Sequence, residues 1–432
     1  MAEKKEYWVN IHNLAQAKNH TFSPERRKTH SDAYQKCLRR AWDTRYIATC
    51  SCDRTKELRL YIRSVNGGEP FSLRRFPHTG SHHAEDCIFH SRVNSDGAAS
   101  TYSGKALTED PDGTVQISLG YSLQVKEVKT TEPDALLPAR RNHADTKLGQ
   151  MTLLGVLHLL WENSEMNAWS PAFEGKRSSN TVARRLDEQA KLIRQGTTHL
   201  NDILLLQDRK NENEARTTYA INNNRRLIVI CQLEVKSAQS GLRTLPVGSF
   251  VAQGMPFLNI DNVRWNDTLK RFPRASAWWR EGKNVVLIAV TDVPKQGSNY
   301  KSAKVRQACL MMVNDQWLPL DSSFEGIVAD RLVSERRAFV KPLIYDSAIS
   351  EYHMDFCLTD TPHGDVYPME VWGRDDDDYT HHREEKTEWY NARHPQAWWE
   401  WDAVVDPKGV QMPVFPDRSE YYSKKYPYPT KT

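Results

Sequence analysis

The chain has 432 residues, a length sufficient for two or three domains. Hydrophobic residues make up 39% of it and charged residues 26%, a composition typical of a folded protein. No apolar run approaches the ~18 residues of a membrane span, and the first residues, MAEKKEYWVN, lack the apolar segment of a secretion signal. Both features argue against an integral membrane or secreted protein, and we expect a cytoplasmic one. Its seven cysteines are then expected to be thiols or metal ligands rather than disulfides.

The formal net charge of +4 conceals an uneven distribution along the chain. Residues 1–80 contain 16 Lys and Arg against 8 Asp and Glu, whereas residues 351–402 contain 4 against 14. A basic segment is typical of proteins with phosphate-rich partners such as DNA, and an acidic segment suits cations. Two ordinary solvated surfaces are the alternative interpretation.

The first segment, residues 1–100, contains a pattern typical of a zinc site. Cys50 and Cys52 end the strand-like run YIATCSC, and residues two apart on a strand face the same side. His83 and Cys87 follow a hairpin-like stretch and complete a Cys3His set, a recognised tetrahedral zinc arrangement. Buried thiols without a metal are the alternative, and other histidines could replace His83, namely His78, His82 and His90. Four arginines of this basic module are candidate DNA phosphate contacts, namely Arg39, Arg40, Arg74 and Arg75.

The second segment, residues 101–200, is expected to hold a linker followed by two helices. Apolar residues at helical spacing between Leu153 and Trp161 predict the first helix, and Gly196 is a natural stop for the second. Lys176 and Arg177 are candidate DNA contacts if the pair resembles a helix-turn-helix. An ordinary helical pair with a basic outer face is the alternative.

The third segment, residues 201–320, is expected to be rich in β-strands, because apolar runs such as NVVLIAVTDV have strand length and many β-branched residues. It also contains Glu234-Val235-Lys236 at the end of the run LIVICQLEVK. A Glu-x-Lys triplet is a second candidate catalytic site. It has no acidic partner on a strand that we can pair with it, and an ordinary strand end is the alternative.

The fourth segment, residues 321–432, is predicted to run helix, strand, strand, strand, helix. Ser322 and Glu325 have the spacing of a capping box at the start of the first helix. If Thr359 pairs with Val366 across the turn DTPHGD, Asp355 lies directly opposite Glu370. Facing residues on antiparallel strands have Cβ atoms about 5 Å apart, so both carboxylates can share one Mg²⁺ or Mn²⁺ ion. The Asp375–Asp378 run is expected to be a flexible acidic turn.

This order of elements, with Asp355 on the second strand and Glu370 on the third, resembles the PD-(D/E)xK nuclease superfamily. The resemblance implies that Asp355 and Glu370 hold the metal and that a lysine two residues after the glutamate assists the attacking water. Trp372 occupies that position here. The following helix offers Lys386 as a substitute, with His382 and Arg383 on the same face as candidate DNA contacts. Glu335 or Glu325 of the first helix is a further candidate catalytic acid.

The whole chain is also similar to a bacterial family of unknown function that is found on plasmids and other mobile elements. The matching motifs are CSC, RFPHTGSHHAEDC, LLWENSEMNAW and EVWG, in that order, with three early cysteines at Cys50, Cys52 and Cys87. That similarity implies a bacterial, cytoplasmic protein that works with mobile-element or conjugation machinery.

The sequence therefore predicts an α+β multidomain protein with a zinc-binding-like module, a helical and β-rich middle, and a restriction-endonuclease-like αβββα core. We expect a Mg²⁺- or Mn²⁺-dependent DNA endonuclease with a structural Zn²⁺. The alternative is a catalytically silent DNA-binding accessory protein, which Trp372 favours. A structural or partner-binding protein is a third possibility, suggested by Trp398, Trp399 and Trp401.

Overall fold

The computed structural model divides the chain into two compact units, residues 1–95 with 109–114 and residues 96–108 with 115–432. The structure describes residues 5–13, 18–44, 47–65, 68–75, 83–84, 86–89, 106–109, 114–125, 150–234, 244–343, 353–362, 367–374 and 377–427.

The first unit is an antiparallel sheet with two helices. Its elements are β1 (Val9–Asn13), β2 (Lys18–Phe22), α1 (Pro24–Thr29), α2 (Ser31–Thr44), β3 (Ile47–Cys50), β4 (Leu58–Val65) and β5 (Gly68–Arg75). The strands lie in the order β2-β1-β3-β4-β5. Alternate residues such as Val9, Ile11, Leu58 and Leu60 are buried with Leu38 of α2, so one face of the sheet forms the core.

The second unit begins with two sheets and the helices around them. Between residues 106 and 320 its elements are β6 (Leu107–Glu109), β7 (Val115–Ile117), α3 (Leu153–Asn163), β8 (Ala168–Trp169), α4 (Ser179–Ala190), β9 (Ile193–Gln195), β10 (Thr198–His199), β11 (Leu204–Leu206), α5 (Lys210–Asn222), β12 (Ile228–Gln232), β13 (Phe257–Asn259), α6 (Asn262–Arg271), α7 (Pro273–Arg280), β14 (Val285–Thr291), β15 (Lys295–Gln296), β16 (Lys301–Val313) and β17 (Pro319–Leu320). One sheet has the order β10-β9-β7-β6, and a larger one has β11-β12-β14-β16-β13 with β15 and β17 paired to β16. Every residue of β14 is buried, as its apolar run predicts for a central strand.

A third sheet contains the carboxylate hairpin, which is the pair of strands of which one follows Asp355 and the other contains Glu370. The remaining elements are α8 (Ser323–Ser334), β18 (Phe339–Val340), β19 (Phe356–Leu358), β20 (Tyr367–Trp372), α9 (Asp377–Arg393), β21 (Trp399–Asp402) and α10 (Glu420–Lys425). The order is β21-β20-β19-β18-β8, with β18, β19 and β20 successively antiparallel and β21 parallel to β20. All six residues of β20 are buried, so both of its faces are covered.

The mixed α+β character is confirmed, and the organisation is simpler than the four expected segments. The three later segments share one continuous hydrophobic core. The physical reason is visible in the expected helical pair: α3 is buried almost throughout, and β8, which follows it, pairs with β18. The second helix ends at Ala190 rather than at Gly196, which instead has positive φ (+56°) after β9. Among the described residues, no helix is both long and apolar enough to cross a membrane.

Candidate functional site

The predicted hairpin register is confirmed at the strands. Phe356 pairs with Met369 as predicted, but the N–H of Asp355 donates a 3.1 Å hydrogen bond to the carbonyl oxygen of Met369, so the register is irregular where Asp355 was expected to face Glu370. The backbone N–H of Val371 donates a hydrogen bond of 2.8 Å to Oδ2 of Asp355. The carboxylate of Asp355 therefore contacts β20 at the residue that follows Glu370. Glu370 is buried, with 1% exposure, whereas Asp355 is half-buried.

Lys386 of α9 reaches the carboxylate of Glu370, as the sequence predicted for a substitute lysine. Its Nζ lies 2.7 Å from Oε2 of Glu370, and the hydroxyl of Tyr390 donates a 2.6 Å hydrogen bond to Oε1. Residues 386 and 390 lie four apart on a helix, so both side chains share one face. Burial raises the pKa of Glu370 to about 8, with Lys386 opposing this shift and Asp355 adding to it.

Trp372, two residues after Glu370, makes its own set of contacts. The indole N–H donates a 2.6 Å hydrogen bond to Oε2 of Glu400. Its ring centroid lies 5.7 Å from Nζ of Lys386 and 5.1 Å from Cζ of Arg383, within cation–π range. Arg383 also pairs with Asp402 at 2.6 Å. The indole therefore forms one wall beside the ammonium group of Lys386.

A second acid–lysine group lies at the start of α8. Nζ of Lys341 is 2.8 Å from Oδ2 of Asp321 and 2.8 Å from Oε2 of Glu325. The hydroxyl of Ser322 caps the helix by accepting a hydrogen bond from the N–H of Glu325, as the capping box predicts. The carboxylate of Glu325 accepts a hydrogen bond from the N–H of Asp321, which holds this carboxylate at the start of the helix. Burial raises the pKa of Glu325, and Asp321 and Asp355 raise it further.

The two acid–lysine groups and Asp355 belong to one electrostatic cluster. Asp355 raises the pKa values of Glu325, Lys341 and Glu370. His353, two residues before Asp355, has two buried ring nitrogens without hydrogen-bond partners among the described residues. Burial, together with Lys341 and Lys386, lowers the pKa of His353 well below 6.5, so its ring is neutral.

The two candidate acids of α8 lie at opposite ends of the helix. Glu325 is in the cluster, whereas Glu335 follows the last turn and pairs with Arg331 at 2.8 Å. Sequence reasoning named neither Lys341 nor Asp321. A signal for Lys341 existed, because a lysine interrupts the otherwise apolar run AFVKPLIYD.

The structure brings the four predicted zinc ligands together in the first unit. Cys50, Cys52, His83 and Cys87 each offer a ligand atom, and these atoms all lie within 4.8 Å of one another. Sγ of Cys50 lies 3.7 Å from Sγ of Cys87, and Nδ1 of His83 lies 3.3 Å from Sγ of Cys52. Two thiolates on one tetrahedral Zn²⁺ with bonds of about 2.3 Å would lie about 3.8 Å apart, so the spacing suits this ion.

The surroundings of this Cys/His cluster favour a thiolate at Cys87, whereas the hydrogen bond with Cys87 raises the pKa of Cys50 and burial raises that of Cys52. Backbone N–H groups of Ala84 and Phe89 donate to the sulfurs of Cys52 and Cys87, each at 3.4 Å. The hydrogen bond from Cys50 lowers the pKa of Cys87, with His83 and the N–H of Phe89 acting in the same direction. None of the seven cysteines, all of which the structure describes, forms a disulfide, so the group can hold a metal. Among the described residues, it is the one set in which three or more such ligand atoms approach this closely.

The candidate DNA contacts have varied positions. Lys176 is exposed, with its Nζ 2.9 Å from the carbonyl oxygen of Ala172, and Arg39 and Arg40 are exposed on α2. Arg177 lies inside instead: its guanidinium donates to the carbonyl oxygens of Glu165, Met166, Ala168 and Gln316. Arg74 and Arg75 lie on β5 and His382 lies on α9, but their side chains are outside the described residues.

The rival Glu-x-Lys site is described only at its glutamate. Glu234 follows β12, and its backbone carbonyl accepts a 3.1 Å hydrogen bond from the indole of Trp279. Lys236 lies outside the described residues, as do Asp375 and Asp376 of the expected acidic turn and the alternative ligands His78, His82 and His90.

Comparison with known proteins places the chain in a family. Residues 22–404 match the family described as "Protein of unknown function (DUF1173)". No curated protein and no solved structure matches the chain. Because the match covers most of the 432 residues, the chain belongs to this family.

Proposed function

We propose that this member of the family is a metal-dependent DNA endonuclease that hydrolyses phosphodiester bonds. The observation that carries the proposal is the buried carboxylate of Glu370 with the ammonium group of Lys386 2.7 Å away, and with the carboxylate of Asp355 bound to the N–H of Val371, the residue after Glu370. Two carboxylates and a lysine are the set that the PD-(D/E)xK superfamily uses. Here the lysine comes from the next helix.

The order of elements supports the same proposal. α8, β18, β19, β20 and α9 follow one another as helix, three antiparallel strands and helix, and β21 then pairs parallel to β20. This order fits the restriction-endonuclease-like core that the resemblance implies. Asp355 directly precedes β19, and Glu370 lies within β20.

The donor set of the site fits Mg²⁺ or Mn²⁺. Oδ1 of Asp355 has no hydrogen-bond partner among the described residues, while Oδ2 is held by Val371. Both oxygens of Glu370 accept one hydrogen bond each, which leaves further lone pairs for a cation. Such an ion supplies Lewis-acid stabilisation of the phosphodiester and lowers the pKa of bound water.

The chain's own residues then have separate roles. Lys386 donates a hydrogen bond to the attacking water or to the scissile phosphate, and Trp372 fixes the place of its ammonium group. Tyr390 holds the Glu370 carboxylate in one orientation. Because Glu370 and Lys386 are buried, these interactions act in a site with little competing water.

The first unit would bind Zn²⁺ through Cys50, Cys52, His83 and Cys87 as a structural ion. Exposed Arg39 and Arg40 of α2 would add contacts to DNA phosphates. We place the protein in the bacterial cytoplasm, with DNA and mobile-element machinery as partners, on the basis of its composition and of the family resemblance.

A second candidate function is that of a DNA-binding accessory protein whose nuclease fold is catalytically silent. Two observations favour it. Trp372 occupies the usual lysine position and is bound to Glu400. In addition, Asp321, Glu325 and Glu370 are already paired with lysines, and the acids form no group of three ligand atoms within 4.8 Å among the described residues.

Cleavage assays separate the two functions. Supercoiled, linear and single-stranded DNA would be incubated with Mg²⁺ or Mn²⁺ and wild type, Asp355→Ala, Glu370→Ala or Lys386→Ala, with DNA binding measured on the same samples. Glu335→Gln is the matched control, because it changes an acid at the other end of α8. The endonuclease proposal expects cleavage by wild type and the control, and loss in the three variants with binding retained. Tight binding without cleavage by wild type supports the accessory protein.

A further inference from the structure

The ammonium group of Lys341 lies between two acids at the start of α8, Asp321 and Glu325. Its Nζ lies 2.8 Å from one oxygen of Asp321 and 2.8 Å from one oxygen of Glu325. The side chain of Lys341 has 0% exposure, whereas that of Asp321 is 43% exposed. The ammonium group and the side chain of Glu325, which has 5% exposure, are therefore both buried, and only Asp321 of the pair reaches solvent.

The backbone fixes the lysine in this position. The N–H of Lys341 donates to the carbonyl of Asn167 at 2.8 Å, and the side-chain amide of Asn167 donates back to the carbonyl of Lys341 at 2.9 Å. Nζ also lies 5.5 Å from the ring centroid of Phe356. Since Phe356 follows Asp355 directly, the ammonium group lies against the same hairpin that carries the proposed metal ligand.

We propose that the ammonium group of Lys341 replaces a second divalent cation, so that the carboxylate cluster binds a single Mg²⁺ or Mn²⁺ ion at Asp355 and Glu370. This inference rests on the proposed function and specifies its metal stoichiometry. The argument is steric: a divalent ion held by Asp321 and Glu325 would lie about 2.0–2.6 Å from the same two oxygens that Lys341 contacts. The ammonium group and the ion cannot both fit there.

The test counts the Mn²⁺ ions bound per chain. Zinc-loaded protein is used so that the Cys/His cluster is filled, and binding is measured by calorimetry and by electron paramagnetic resonance. Wild type is expected to bind one ion. Lys341→Met is expected to bind two, because Asp321 and Glu325 are released, and Lys341→Met combined with Glu325→Gln is expected to return to one. Lys341→Gln provides a polar alternative if the Met variant does not fold.

Each outcome has a defined meaning. Two ions in wild type, or a spin-coupled manganese pair, would overturn the inference without any variant. A folded Lys341→Met or Lys341→Gln variant that still binds one ion would overturn it as well. No Mn²⁺ in wild type but one ion in Lys341→Met would refute the proposed metal site at Asp355 and Glu370, and would support Lys341 as the resident cation.

Discussion

The raised pKa of Glu370 predicts a specific pH dependence of stability. Burial raises this pKa from 4.5 to about 8 in the folded protein. Between these values the folded state keeps the proton of Glu370 while the unfolded state loses it. The contribution of Glu370 to the unfolding free energy is therefore greatest below pH ~4.5 and falls as pH rises towards ~8. The slope is about 1.4 kcal/mol per pH unit, which corresponds to roughly 3 kcal/mol between pH 5.5 and 7.5.

Glu370→Gln isolates this contribution, because glutamine cannot ionise while Glu325, whose pKa is also raised, remains in both proteins. Urea unfolding at several pH values without divalent cations gives the two free-energy curves. The wild-type curve should fall more steeply, by about 1.4 kcal/mol per pH unit. Parallel curves would refute the reasoning that Glu370 is protonated in the folded state near neutral pH.

Three further predictions concern the lysine, the cysteines and the buried arginine. Lys386→Met should lower single-turnover DNA cleavage by roughly 10²–10³-fold, as expected for loss of one catalytic hydrogen-bond donor, and an unchanged rate would remove this lysine from the mechanism. Cys87→Ser should lower the zinc content measured by elemental analysis from about one ion per chain to near zero, and it should destabilise the first unit. Full retention of zinc would contradict the Cys3His assignment. Arg177→Ala should lower the unfolding free energy by about 2–4 kcal/mol with little change in DNA affinity, because four carbonyl groups each lose a donor. Lys176→Ala, its exposed neighbour, should leave stability unchanged, and equal effects of the two variants would argue against the structural role of Arg177.

The hairpin and its lysine were predictable because their positions depend on local rules. A symmetric turn between Thr359 and Val366 predicted the observed pairing of Phe356 with Met369, and helix periodicity put Lys386 on the face that meets Glu370. The capping box at Ser322 was readable for the same reason. The zinc ligands could also be predicted from local spacing, since Cys50 and Cys52 lie two residues apart at a strand end and His83 and Cys87 lie four residues apart.

Long-range packing was not predictable from one sequence. Lys341 meets Asp321 and Glu325 only because β18 passes beside the start of α8, and no spacing rule joins these residues. Arg177 looked like part of a basic surface, yet the fold surrounds it with backbone carbonyls from segments up to residue 316. The pairing of β8 with β18 likewise joins residues about 170 positions apart. It brings the second and fourth segments of the sequence into one sheet.

The most direct measurement for the central claim is Mn²⁺-dependent nicking of supercoiled DNA by wild type and by Asp355→Asn, purified in parallel. Asparagine keeps the size of the side chain and an acceptor for the N–H of Val371, but removes the charge that a cation needs. The proposed function predicts nicking by wild type and at least a 10²-fold loss in the variant. Equal nicking by both proteins, or none by either, would contradict it.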